Sequence, residues 1–423
     1  MSDLRPILCL TVLLVVLAMP ASSMAGTSEY SVTLGVGEEF NTNVNERPNA
    51  KSDWVSRATA VGKASYESAR VELGGEVDGS FNIYALGHRN DEFKGTAQVN
   101  SKVEVAEEFF FVEARGTFKQ VYNNLIRGDT NPTDSTRSQV DQYTTSGMAY
   151  ITPHFSDRLS SMIGYQFVGY FYGDGSNSTT NSNTDPSTSG NAKSKINNAV
   201  FARFSYELTP LWQLTLDAQT LRQDSRSGGL QRTYVNAGFK WQYSEDGFIS
   251  AKVGPRYSTY DNGASSLNPF VDAVWSHTHN RFTAKATLSS MYTENPVATY
   301  SSLQKSAGLS LDWKGEKLSL QGKASVSNTD GEDTRDSDQL ALGVTARYEL
   351  SPRLTLKAGA SRNATLTSSY TQVRWYANGS LEYSLGKDFS LEGYYRWKIY
   401  DSSQSSALSY NVNIVGLSLK KTF

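Results

Sequence analysis

Residues able to carry acid–base, nucleophilic or metal chemistry are few and scattered. The sequence holds four histidines and one cysteine. His277-x-His279 has a spacing that could set both rings on one side of a strand end, but no acidic partner stands nearby to complete a metal site. His88 is followed by Arg89-Asn90-Asp91-Glu92, ordinary loop polars, and His154 falls in a turn. A Ser–His–carboxylate hydrolase needs its groups within hydrogen-bond reach at one rim of a scaffold, and these histidines are not so grouped. The acidic run from Asp330 to Asp338 lacks EF-hand spacing. No enzyme, metal site or cofactor is expected. The remaining chemistry is charge: lysines and arginines that recur at alternate positions within otherwise apolar segments.

The elements that would position those charges follow from composition and period. Of 423 residues, 38% are hydrophobic, 12% aromatic and only 19% charged, below the roughly 25% charged of soluble domains. Forty Lys+Arg against 42 Asp+Glu give a net charge of -2, too balanced for a whole-chain nucleic-acid binder. Beyond the N-terminus no apolar run is long enough for a membrane helix, and 24 tyrosines with 18 phenylalanines argue against disorder.

Residues 1–25 read as a secretory signal peptide. Arg5 supplies the n-region, Ile7 to Met19 an apolar core too short to span a bilayer, and Ser23-Met24-Ala25 a small-x-small site. Cleavage is expected between Ala25 and Gly26. Cys9 lies inside the apolar core, so the mature chain would carry no thiol and no disulfide.

From Gly26 onward the recurrent pattern has period 2, the mark of a strand with one apolar and one polar face. Ala69, Val71, Leu73, Val77, Phe81 and Ile83 alternate with Arg70, Glu72, Glu76, Asp78 and Asn82; Phe389 to Ile399 repeats the pattern. The polar face is too charged for a protein core. An apolar-out, polar-in wall fits it. The expected fold is all-β: an antiparallel transmembrane β-barrel over residues 26–423 with about 20 strands. Its first strand is placed near Tyr30, leaving no separate N-terminal plug.

Connections alternate between short and long, as expected for short periplasmic turns and longer extracellular loops. Short ones include Glu67-Ser68, Glu107-Glu108, Ser351-Pro352-Arg353 and Gly386-Lys387-Asp388; long ones fall at about 41–53, 122–139, 173–194, 222–232, 292–299, 328–338, 362–371 and 401–407. Leu125, Ile126 and Pro132 give the 122–139 loop enough apolar content to fold inward and narrow a pore. The 173–194 loop is low-complexity. Trp212, Trp241, Trp275 and Trp313 fall toward the turns, and Trp375 and Trp397 toward the loops, as two interfacial girdles require; Trp54 fits less cleanly. Leu417, Leu419 and Phe423 form an alternate apolar pattern ending in an aromatic, which resembles the signal read by the barrel-assembly machinery. Lys421 departs from it.

Three segments also resemble a family. They are Glu38-Glu39-Phe40-Asn41-Thr42-Asn43-Val44-Asn45, the strand pair from Ser52-Asp53-Trp54 to Tyr84, and Tyr150-Ile151-Thr152-Pro153-His154-Phe155-Ser156-Asp157-Arg158. In this order they look like the β-barrel porins encoded with exopolysaccharide and PEP-CTERM sorting loci in Gram-negative bacteria. That resemblance implies an outer-membrane protein linked to surface polysaccharide, and it brings no catalytic residues.

Parity places Arg57, Arg70, Lys94, Lys102, Arg115, Lys119, Lys252, Arg256, Lys285, Lys323, Arg347, Lys357, Arg374, Arg396 and Lys398 on the inward face, in excess over inward acids. A barrel of that strand number exceeds those that already leave an aqueous channel, and a basic wall concentrates anions. Cross-strand pairing of these charges would cancel the preference. The expected function is passage of hydrophilic, anionic solute or of an exopolysaccharide chain. Two alternatives stand beside it: a closed anchoring barrel whose loops bind surface polysaccharide, and the sheath of an electron conduit. Expected partners are outer-membrane lipid, lipopolysaccharide, the assembly machinery and polysaccharide, with no nucleic acid.

Overall fold

The computed structural model describes residues 26–122, 139–173, 192–294, 296, 298–330, 336–403 and 409–423. The signal peptide with Ala25, the apolar residues of the 122–139 loop and most of the 173–194 loop lie outside them. The described residues form strands and their connections, with no helix.

The strands run β1 (Gly26–Asn41), β2 (Asp53–Ser68), β3 (Val71–Tyr84), β4 (Glu92–Ala106) and β5 (Phe110–Tyr122). Then come β6 (Gln139–Ile151), β7 (Leu159–Tyr172), β8 (Lys195–Thr209), β9 (Trp212–Ser225) and β10 (Gly228–Ser244). The second half holds β11 (Gly247–Tyr260), β12 (Ser265–His279), β13 (Phe282–Thr293), β14 (Ser302–Lys314) and β15 (Leu318–Asp330). It ends with β16 (Ser337–Ser351), β17 (Leu354–Thr367), β18 (Thr371–Ser384), β19 (Phe389–Ser402) and β20 (Tyr410–Thr422). Each strand pairs antiparallel with the next, and β20 returns to β1 through Val36↔Leu419 and Phe40↔Val415. The 20-stranded sheet is therefore closed, which removes every unpaired edge.

Strands of 12 to 17 residues exceed the roughly 9–11 that cross a bilayer. The surplus explains two corrections to the loop reading. Residues 222–232 and 362–371 are mostly strand, joined by short turns at 226–227 and 368–370. Polar residues such as Arg222, Asp224 and Gln231 had marked them as loops. Arg222, Asp224 and Gln231 instead belong to strand ends that continue past the apolar band, where outward polar side chains are solvated. The β2–β3 turn likewise lies at 69–70 rather than at Glu67-Ser68, and β1 begins at Gly26 rather than near Tyr30.

Alternation sorts the side chains into two faces. Val36, Phe81, Val99, Val200, Val253, Leu267 and Val344 lie on the outside and are exposed, an apolar band far larger than a water-facing surface tolerates. Its turn-side rim is aromatic: Trp212 stacks on Trp241 at 5.2 Å, Trp241 meets Tyr243 edge-on, and the Trp275 indole N–H donates to the Tyr243 hydroxyl at 2.9 Å. His277 stacks on Tyr243 in the same rim. On the loop side Trp54, which the alternation had fitted poorly, faces outward against Phe40 at 5.2 Å.

Candidate functional site

The opposite face lines the lumen and holds the basic residues that parity assigns inward, apart from those in turns. Most of the basic residues picked out by parity meet a carboxylate. Arg57 and Arg396 converge on Glu39, which is 2% exposed, at 2.8 and 3.8 Å. Lys94 pairs with Glu92, Lys102 with Glu72, Lys252 with Asp217, Lys357 with Glu382, and Lys398 with Glu46. Arg347 approaches Glu349 at 3.5 Å. Arg374 pairs in register with Asn363. Arg70 does not line the wall: it lies in the β2–β3 turn, where it faces Glu107 of the next turn at 3.8 Å. A basic wall of uniform strength is therefore replaced by one that is largely neutralised, by pairs across strands, along one strand and with a loop.

A smaller set keeps its charge free. Arg115, Lys119, Arg256, Lys285 and Lys323 form no ion pair among the described residues. Arg115 donates to Gln98 at 2.6 Å, and with Lys119 it borders a cavity of about 1070 Å³ inside the barrel. That cavity reaches from Gln98 and Gln142 on one wall to Gln304 and Gln339 on the other. Its lining is amide- and hydroxyl-rich, suited to hydrated solutes rather than to an apolar ligand.

Arg256 has a different environment. Its guanidinium carbon lies 5.4, 4.8 and 5.1 Å from the rings of Tyr234, Phe270 and Tyr292, and Nε and Nη1 have no hydrogen-bond partner. Arg232 shares the Tyr292 ring at 3.3 Å and donates to Ser258. The β12–β13 register ends at Val271↔Ser290. Tyr292, beyond it but still paired with Leu303 of β14, accepts from the Asn268 amide at 3.1 Å and sets its ring over these cations, and the aromatic faces offset part of the cost of burying charge.

Among the described residues, two connections fold inward at the loop-side mouth. The 42–52 loop sends Val44 onto Val55 and Tyr84, and its Glu46 accepts from Lys398 at 2.7 Å. The 294–301 loop leaves β13 and reaches strands five and six positions away around the sheet. Glu294 accepts from Lys195 Nζ at 2.6 Å and from the Tyr172 hydroxyl at 3.0 Å. The Pro296 carbonyl accepts from the Lys193 N–H at 2.7 Å, Ser301 bonds Gln223 at 3.0 Å, and Tyr300 packs edge-on against Tyr260. A contact from β13 to β8 is possible only across the interior. Burial raises the Glu294 carboxyl above its ordinary range, although Lys195 and Tyr172 oppose the shift.

The inward fold expected of the 122–139 loop falls on residues outside those described; that of 294–301 is not among the sequence expectations. The same signal, apolar residues inside a polar loop, was present there in Pro296, Val297 and Ala298. Among the described residues no cluster of three metal-ligating side chains occurs. The segment 331–335 of the acidic loop lies outside them.

Phe423 exchanges backbone hydrogen bonds with Val32 at 2.8 and 3.4 Å, and Leu417 and Leu419 face outward beside it. Lys421, the departure from the terminal pattern, sets its ammonium over the rings of Phe389 and Phe423 at 5.2 and 4.3 Å. An aliphatic stem with its head at the rim is compatible with an interfacial position.

No family model matches the chain, and no curated protein does. Solved structures do. A ferric enterobactin receptor from Pseudomonas aeruginosa is 12% identical, with 95% of this chain and 81% of that one covered and a TM-score of 0.54. The copper transporter OprC is 9% identical over 95% and 81% with a TM-score of 0.48. The FrpB iron transporter from Neisseria meningitidis is 9% identical over 93% and 81%, with a TM-score of 0.47. At this identity the first likeness is one of fold: a large closed antiparallel β-barrel.

Proposed function

We propose that the chain is a transport barrel of the Gram-negative outer membrane, passing hydrophilic and preferentially anionic solute through a lumen narrowed by two inward loops. The apolar outer band between aromatic rims supports the membrane setting, and a solved barrel of similar fold is a ferric enterobactin receptor. The observation that carries the solute class is the large cavity bordered by Arg115 and Lys119, neither of which meets a carboxylate, while its bordering carboxylates Glu76 and Glu294 are already paired with Lys63 and Lys195. Uncompensated positive charge in a confined aqueous space raises the local anion concentration. The family resemblance adds a narrower reading, in which the solute is an exopolysaccharide chain.

Two measurements test the proposal. Cell fractionation with heat-modifiable gel migration should place the protein in the outer membrane; recovery in a soluble periplasmic fraction would refute the setting. Planar-bilayer recording should show discrete conductance steps. Their absence would favour a second reading, a closed barrel whose loops bind surface polysaccharide. The contacts of Glu46 with Lys398 and of Glu294 with Lys195, which draw loops into the mouth, support that alternative.

A further inference from the structure

The outer face of β14–β18 carries an indentation with a cation at its loop-side edge. The register aligns Leu309, Ala324, Leu342, Arg362 and Trp375 as one cross-strand row. One row nearer the turns lie Leu311, Gly322, Val344 and Ala360. Where the neighbours are leucine and valine, the small residues Gly322, Ala324 and Ala360 leave an apolar groove of about 450 Å³. A Cβ built on Gly322 would meet nothing within 4 Å, so the depression is open to the outside.

Arg362 stands at the end of this groove with its guanidinium carbon 5.2 Å from the Trp375 ring. It forms no ion pair among the described residues, and its Nε has no hydrogen-bond partner. Other outward cations near the loop side are neutralised within the protein: Arg222 by Asp224 and Asp261, and Lys305 by Asp330. Arg362 also lies farther from its strand end than either, in the loop-side half of a 14-residue strand. A guanidinium on the lipid face below the strand rim is unfavourable unless an anion meets it.

We propose that the groove takes one acyl chain of the phosphorylated glycolipid of the outer leaflet, lipid A, with its phosphate on Arg362. The proposal rests on the outer-membrane reading above, which puts the loop side in the leaflet where that lipid resides. Charge complementarity selects the occupant. A planar guanidinium presents paired N–H donors that match phosphate oxygens, while the indole of Trp375 flanks it at headgroup level.

The test is native mass spectrometry of the full barrel in mild detergent, titrated with bisphosphorylated lipid A. The wild type should show one saturable adduct. Arg362→Gln, which removes the charge, and Gly322→Leu, which fills the floor and leaves the arginine, should each weaken it at least tenfold. If one variant fails to assemble, the other still decides. Equal binding of dephosphorylated lipid A, equal binding of phosphatidylglycerol, or full binding by both variants would each overturn the proposal. A wild type recovered without detergent would refute the membrane reading instead, whereas a detergent-requiring wild type that takes no lipid A overturns this inference alone.

Discussion

Lys195, the first residue of β8, donates from Nζ to Glu294 Oε1 at 2.6 Å, tying a strand end to a loop 99 residues later in the chain. The lysine side chain is fully buried and the carboxylate nearly so. Removing one partner from a buried pair strands the other, at a cost of about 3–5 kcal/mol. Lys195→Ala should therefore release the 294–301 loop from the lumen wall. Single-channel conductance should rise above wild type while assembly is retained; unchanged conductance would mean that the loop does not limit the pore.

The same carboxyl should make the mouth pH-sensitive. Burial raises its folded-state pKa, so the docked loop holds the proton more tightly than the released loop does. Its contribution to docking is complete below the ordinary carboxylate range and is lost as pH rises through the raised value. Conductance should fall on acidification through that window. Glu294→Gln should flatten the profile, and a wild-type profile already flat there would exclude this control.

Selectivity should depend on the unpaired cations rather than on the whole basic set. Reversal potentials under a salt gradient should show anion preference, weakening as the Debye length drops from about 10 Å at 0.1 M to about 3 Å at 1 M. Arg115→Glu with Lys119→Glu should shift the preference toward cations. Lys252→Glu should instead lower barrel yield, because Lys252 already neutralises Asp217 at 2.7 Å. A cation-selective wild type would refute the charge assignment.

Phe423 ends the alternate apolar pattern and closes the register against Val32. Phe423→Gln should slow outer-membrane assembly, leaving passage across the inner membrane intact. Pulse-chase measurement of the heat-modifiable form checks this, and normal assembly kinetics would show that recognition lies elsewhere.

The strand pattern was readable in the sequence because a barrel wall obeys a local rule. Each residue faces either lipid or lumen, and period 2 records that choice at every step. Outward placement of Trp212, Trp241, Trp275 and Trp375 follows from the same rule. Composition also marked where polar residues enter a segment, but not where pairing ends. Arg222 and Arg362 therefore read as loop residues although both sit within strands.

Sequence alone determined that this chain alternates apolar and polar faces over about 20 segments, because the two solvents act on each residue independently of its partners. Only the tertiary structure decided which charges cancel. Arg57 of β2 and Arg396 of β19 share Glu39 because β1 pairs with both β2 and β20, and β20 brings β19 within reach across it, a neighbourhood that exists only once the sheet closes. The structure likewise decided that the loop carrying Glu294 enters the lumen, since Glu294 meets Lys195 by crossing an interior that has no counterpart in the linear chain. Local solvation is encoded residue by residue, whereas ion pairing and loop docking depend on distances that closure creates.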